Sequence, residues 1–300
     1  MPLPPLNPQL STSVNLWRLW KGLFSLSVLG ALLLICNLIQ SLSALLLPLS
    51  RRAVRVINRV VGGVWWSASD LFAVWWGIDV VRTGDDPPPK ENAFLIANHQ
   101  NMPDINTLFR LARHKGRIWD LKWFVKDIIK YVPGIGWGMV FLDCIFLKRD
   151  WKRDKPRLIK QLQRFEQEQI PIWTISFVEG TRITPRKHEQ SVAYAEERGL
   201  TPLKHLLLPR TKGFTLTLDA LRGHLDAVYD CTIGYAEEGV PTLWQWCRGD
   251  VQRVALHVRR FPIAELPEGE EALAEWLKER WREKDALLAH YYQEGCFPQG

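Results

Sequence analysis

No residue between Gly22 and Leu47 carries a charge. As an α-helix that run reaches about 39 Å, longer than the roughly 30 Å hydrocarbon core of a bilayer. A soluble core rarely hides so long a segment, so a membrane anchor is expected. Arg18 and Lys21 stand before the run, and Arg51, Arg52, Arg55 and Arg59 follow it. A cleavable signal peptide fits poorly, because the apolar run is too long and no small-x-small site precedes the arginines. A second apolar stretch, Val60–Ile78, holds Trp65, Trp66, Trp75 and Trp76, with Asp70 in its middle. It can span, re-enter, or lie in the interface as an amphipathic helix. The arginines between the two stretches belong on the cytoplasmic side. The rest of the chain is then expected on that face, of a bacterial inner membrane or, in a eukaryote, of the endoplasmic reticulum.

Composition supports a lipid partner. The net charge of +7 fits nucleic acid, anionic lipid or a phosphorylated substrate. Fifteen tryptophans, each with an apolar body and one N–H, favour the water–lipid boundary. No nucleic-acid motif is present, so nucleic acid is not an expected partner. Cys36, Cys144, Cys231, Cys247 and Cys296 are scattered and odd in number, which indicates neither a zinc site nor a disulfide framework. A reduced, cytosol-facing domain follows.

Asp85-Asp86-Pro87-Pro88-Pro89-Lys90 is a polar break. It divides the chain into membrane-anchoring helices (residues 1–84) and a body (residues 85–300). In the body, Ala93–Ala97, Val140–Leu147, Ile172–Phe177, Ala227–Ile233 and Val251–Val258 read as strands. Asp104–Arg113, Lys122–Tyr131, Pro156–Gln167, Ser191–Arg198, Thr215–Arg222 and Glu268–Ala289 read as helices. The alternation predicts an α/β fold, a central mixed sheet flanked by helices behind the helical anchor.

Chemistry-bearing residues gather at the predicted strand ends. Asn98-His99-Gln100-Asn101-Met102-Pro103-Asp104 follows a buried strand and opens a helix. A histidine and an aspartate at this spacing can fold onto each other, so that the carboxylate fixes the ring tautomer and makes the other nitrogen a better base. Alone, such a pair is more often structural. Ser176-Phe177-Val178-Glu179-Gly180-Thr181-Arg182 runs a strand into a glycine turn with an acid and an arginine, a fork suited to phosphate. Phe146-Leu147-Lys148-Arg149 ends a strand in cations. Leu208-Pro209-Arg210-Thr211-Lys212-Gly213-Phe214 is another basic turn before a helix, an arrangement that favours phosphate. Each of these, taken alone, also reads as a solvated charged turn.

In this order the pieces resemble the glycerolipid acyltransferase family, in particular the 1-acylglycerol-3-phosphate acyltransferases, with their N-H-x4-D, F-I-x-R and F-P-E-G-T-R blocks. The likeness covers about residues 92–235. It includes Lys126, Val132-Pro133-Gly134-Ile135-Gly136-Trp137, Lys187-His188-Glu189 and Arg210 to Phe214. It points to the branch holding the lysophosphatidate and lysocardiolipin acyltransferases. Val178 and Asn101 depart from the usual proline and serine, and Ala227–Ile233 is no clean match to a fourth block.

The resemblance implies acyl transfer from an acyl thioester, on coenzyme A or a carrier protein, to the hydroxyl of a lysophospholipid acceptor, first of all 1-acyl-glycerol-3-phosphate, giving phosphatidic acid. His99 would be the general base and Asp104 its orienter. Glu179, Gly180, Thr181, Arg182, Arg149 and Lys148 would form the acceptor-phosphate pocket, with Lys126, Arg210 and Lys212 as further phosphate contacts. No metal or other cofactor is implied. Acceptors such as lysophosphatidylglycerol or lysocardiolipin, and a silent lipid-binding protein, are the alternatives. The presence of His99, Asp104, Glu179 and Arg182 together weighs against silence.

Overall fold

A computed structural model of the chain describes residues 2–9, 11–148, 150–235 and 239–298. Helix α1 (Thr12–Ser43) is amphipathic in the inverted sense. Gly22, Ser25, Cys36, Asn37, Gln40 and Ser43 face inward, while Leu34 and Leu38 are 70% and 60% exposed. An outward apolar face of this length suits lipid and not water. Among the described residues, this helix and the turn after it are the one segment long and apolar enough to cross a membrane.

The chain turns back into α2 (Arg51–Trp75), whose first turn is capped by Ser50 accepting from the Ala53 N–H. Asp70 is buried on α2 and accepts at 2.5 Å from both Arg110 and Arg113. Arg59 reaches the buried Asp120. These ion pairs fasten α2 to the body, so the second apolar stretch lies against the protein.

The remaining elements are β1 (Asp79–Gly84), β2 (Ala93–Ala97), α3 (Pro103–His114), β3 (Leu121–Lys126), α4 (Ile135–Phe141), β4 (Ile145–Leu147), α5 (Trp151–Gln167), β5 (Trp173–Ser176), α6 (Pro185–Glu197), α7 (Thr211–Leu221), β6 (Ala227–Tyr235), α8 (Leu243–Arg248), β7 (Arg253–Pro262) and α9 (Glu270–Glu294). They build a seven-stranded sheet in the order β1-β7-β6-β2-β5-β3-β4. From β6 to β4 the strands are parallel, and β7 runs antiparallel to β6. The central strand β2 is buried on both faces, as its unbroken apolar run requires. Ala93, Leu95 and Ala97 pack in the core beside α2 and α3. Phe94 and Ile96 pack in the opposite core, with α5, α7 and α9. This is the mixed α/β sheet expected, flanked by helices.

Two segments differ from their sequence reading. Lys122–Tyr131, expected as a helix, is strand β3 followed by a 3-10 turn over Asp127–Tyr131. Lys122 interrupts the apolar run yet is buried, and its ammonium donates to the Leu142 carbonyl at 2.7 Å. A lysine buried inside a strand masks the strand pattern. Val140–Leu147, expected as a strand, is divided: α4 takes Val140 and Phe141, Asp143 turns the chain at φ 57°, and only Ile145–Leu147 pair with β3. Strand β1 adds to the expected strands; it pairs in parallel with β7, on the N-terminal side of the proline-rich break.

Candidate active site

The carboxyl ends of the parallel strands share one edge of the sheet, where α/β folds collect their ligands. The His/Asp loop leaves β2, the Glu-Gly-Thr-Arg turn leaves β5, Lys126 ends β3 and Lys148 follows β4. Asn98 starts the loop. Its side chain donates to the Ile233 carbonyl at 2.9 Å and accepts from the Ile233 N–H at 2.8 Å. The amide thereby continues the β2–β6 ladder for one more step. Gln100 donates to the same carbonyl at 2.9 Å, so both ends of the His99 peptide are clamped to β6.

Pro103 opens α3, and Asp104 lies in its first turn, fully buried. Oδ2 of Asp104 lies 2.9 Å from His99 Nδ1 and accepts the backbone N–H groups of Gln100 and Asn101 at 2.6 and 2.9 Å. Oδ1 accepts the Tyr235 hydroxyl at 2.7 Å. Burial and the Asp104 charge push the Tyr235 phenol well above its ordinary value, so it remains a donor. Four donors thus fix one carboxylate. The His99 ring stacks on Phe177, with centroids 3.9 Å apart and planes 11° apart. Its Nε2 makes no hydrogen bond among the described residues. The geometry is that of a tautomer-locked imidazole with one nitrogen open to a reactant.

The second turn closes over the first. Ile183 N–H donates to the His99 carbonyl at 2.9 Å, and Arg182 donates to the Asn101 side chain at 2.9 Å. Gly180 has φ 72°, and a Cβ there would stand 2.9 Å from Nε of Arg210. Glycine is therefore needed both for the turn and for the approach of that guanidinium. Thr181 accepts from Lys187 at 2.7 Å. His99, Asp104, Glu179, Gly180, Thr181, Arg182 and Arg210 are thus brought together. Lys212 is exposed in the first turn of α7, and Lys126 and Lys148 are exposed farther along the sheet edge. Arg149 lies outside the described residues.

Glu179 is 3% exposed. One carboxylate oxygen accepts the His99 N–H at 3.4 Å, and the other has no hydrogen bond among the described residues. Burial pushes its carboxyl well above the ordinary 4.5, and the His99 and Leu207 amides pull back by less. The folded state therefore holds a proton that the unfolded chain releases above that value. Stability falls as pH rises from there toward the folded-state value. Glu179→Gln is expected to melt higher than the parent at pH about 8 and alike at pH about 4. Thermal denaturation in detergent at both values checks this, and equal melting at both would reject a burial-raised carboxyl.

Sequence reading did not find Tyr235, Phe177 or Gln100 as parts of this site. Tyr235 lies 131 positions from Asp104 and ends a strand with nothing local to mark it. Phe177 and Gln100 lay inside the quoted motifs, but their contacts are tertiary.

Residues 79–233 match the family described as Acyltransferase, and residues 247–300 match that described as Acyltransferase C-terminus. The chain belongs to the acyltransferase family. It is 35% identical to the human 1-acyl-sn-glycerol-3-phosphate acyltransferase delta over 271 residues, covering 89% of this chain and 72% of that protein. The Bos taurus delta protein is 36% identical over the same span. The human gamma protein is 34% identical over 270 residues, 88% of this chain and 72% of the relative. No solved structure matches the chain significantly. The matched region contains the His/Asp loop and the Glu-Gly-Thr-Arg turn, and the C-terminal match contains α9.

Proposed function

We propose that this acyltransferase moves a fatty acyl group from an acyl thioester to the free hydroxyl of 1-acyl-glycerol-3-phosphate, giving phosphatidic acid. The observation that carries the reading is the buried Asp104 carboxylate on His99 Nδ1, with Nε2 left open beside a cationic turn. Nε2 of His99 takes the proton as the hydroxyl oxygen attacks the thioester carbonyl. Such a base is worth about 10²–10⁴-fold. Collapse of the tetrahedral intermediate breaks the C–S bond, and the leaving thiolate recovers the proton from the imidazolium. Atoms balance with no metal, no other cofactor and no acyl-enzyme. The relatives' names support the acceptor, and the thioester in this reading is acyl-coenzyme A or an acylated carrier protein.

Arg182, with Glu179, Gly180 and Thr181, holds the acceptor phosphate, and Arg210 completes the cationic wall. Arg149 and Lys148 are further members of the acceptor-phosphate pocket in this reading, and Lys126 and Lys212 contact acceptor or donor phosphates. The outward leucines of α1 sit in one leaflet. Both helices lie along the body, and the arginines at the start of α2 keep that body on the cytoplasmic face.

A panel of lysolipids with labelled acyl-coenzyme A tests the acceptor. Lysophosphatidate is expected to turn over fastest. A preference for lysophosphatidylglycerol or lysocardiolipin would replace the acceptor while leaving acyl transfer standing. Arg182→Ala is expected to raise KM for the phosphorylated acceptor about tenfold, with KM for the acyl donor within about twofold. An equal loss toward both substrates would argue against a phosphate role.

A further inference from the structure

An exposed apolar surface outside α1 lies on the 3-10 turn Asp127–Tyr131 and on α4. Ile128 is 64% exposed, Tyr131 66%, Trp137 52% and Val140 51%. Large side chains this exposed occur singly on soluble surfaces, but a contiguous group marks a contact. The segment abuts the candidate membrane helix. A Cβ on Gly134 would stand 2.9 Å from Cδ2 of Leu33, and one on Gly138 would stand 3.5 Å from Oε1 of Gln40. Leu33 and Gln40 belong to the side of α1 that faces the protein, and Leu34 and Leu38 beside them point outward. The seam between α1 and α4 buries Asn37 and Gln40, and on its outer side the exposed leucines of α1 and the exposed Trp137 and Val140 of α4 belong to adjoining helices.

The segment also adjoins the reaction centre. It continues directly from the carboxyl end of β3. The ring of Trp123 on that strand lies 6.1 Å from Phe177, on which His99 stacks. Met102, inside the His/Asp loop, adds a further exposed apolar side chain at the same edge.

We propose that residues 128–140 enter the same lipid layer as the outer face of α1, forming a second seat that holds the catalytic edge against a phospholipid bilayer. Trp137 and Tyr131 occupy the headgroup boundary, where an apolar ring with one polar atom is best placed. Ile128 and Val140 reach the acyl chains. A lysolipid diffusing in that layer then meets His99 sideways and need not leave the membrane. The proposal rests on the reading of α1 as a lipid-facing helix.

The test uses the full chain carrying Cys296→Ser, which removes the one exposed cysteine among the described residues. An environment-sensitive fluorophore is placed on Trp137→Cys, on Leu34→Cys, or on Lys278→Cys of α9, which packs on the opposite face of the sheet. Vesicles of phosphatidylcholine and phosphatidylglycerol with a spin-labelled quencher lipid are then added. Labels at 34 and 137 are expected to shift blue and be quenched to a similar degree, with the label at 278 unchanged. Quenching at 34 without quenching at 137 overturns the proposal and leaves the membrane role of α1 intact. Absence of quenching at 34 overturns that role, and the proposal with it. In parallel, Ile128→Ser combined with Trp137→Ser is expected to raise KM for vesicle-embedded lysophosphatidate about tenfold. Turnover of a water-soluble, short-chain acceptor should stay at the parent value. An unchanged vesicle KM also overturns the proposal, and so does an equal loss of turnover on both acceptors, which would assign the segment to the site itself.

Discussion

His99→Ala is expected to lower kcat by about 10²–10⁴-fold while the protein stays folded. The variant removes the open nitrogen and leaves little else disturbed. The ring is 13% exposed and stacked on Phe177, so its removal leaves a cavity against that ring. Asp104 loses one donor and keeps the Gln100 and Asn101 amides and the Tyr235 hydroxyl. No buried group is orphaned, so the stability cost is that of lost packing alone. Turnover and thermal melting of the purified protein, measured together, check the claim, and near-parental turnover would sink the base assignment. Asp104→Ala is a less clean probe. It strands two backbone amides and a buried phenol at once, so lost activity and lost structure would arrive together.

The second large effect is on stability and lies away from the reaction centre. Lys284 on α9 is fully buried. Its ammonium pairs with the equally buried Asp230 at 2.5 Å and donates to the Cys231 carbonyl at 2.6 Å and to Thr232 at 3.1 Å. Arg259 grips the other oxygen of Asp230 at 2.5 Å. Burial alone would raise the Asp230 carboxyl, but Lys284 and Arg259 outweigh it and hold the group below its ordinary value. Lys284→Ala removes one cation from this cluster and leaves Asp230 undercompensated in the core. A loss of about 3–5 kcal/mol is expected, seen as an early thermal transition. Replacing both partners with apolar residues, Lys284→Met with Asp230→Leu, should recover part of the loss, since the cost lies in the unpaired charge and Arg259 keeps Glu283 as its partner. If the double variant melts no higher than the single one, the ion pair is not the source. Activity should fall as well, because β6 carries the Ile233 and Tyr235 contacts that clamp the His/Asp loop.

Much of the fold was legible wherever a local pattern had a single physical solution. An uncharged run of bilayer length, an all-apolar Ala93–Ala97 between turn residues, and a proline beside an aspartate at a helix start each admit few structures. The reading failed at Lys122–Tyr131 and Val140–Leu147, where a buried lysine and two short elements break the pattern that periodicity needs. Strand β1 has two valines among polar residues and exists because β7 lies beside it.

The site divides in the same way. Composition and spacing carry the chemical inventory: an imidazole five positions from a carboxylate, an acid and an arginine around a glycine, cations at strand ends, and an apolar helix before them. These are local facts of composition and spacing. Their meeting is a consequence of sheet pairing. Parallel pairing of β2 with β5 brings the Glu179 turn over His99, and pairing with β6 brings Tyr235 to Asp104. Residues separated by scores of positions are joined there by hydrogen-bond register across the sheet, and no local spacing encodes that register. The direction of the α1 leucines was equally closed to the sequence, because a wholly uncharged helix shows which side faces lipid only once its polar stripe has found the body.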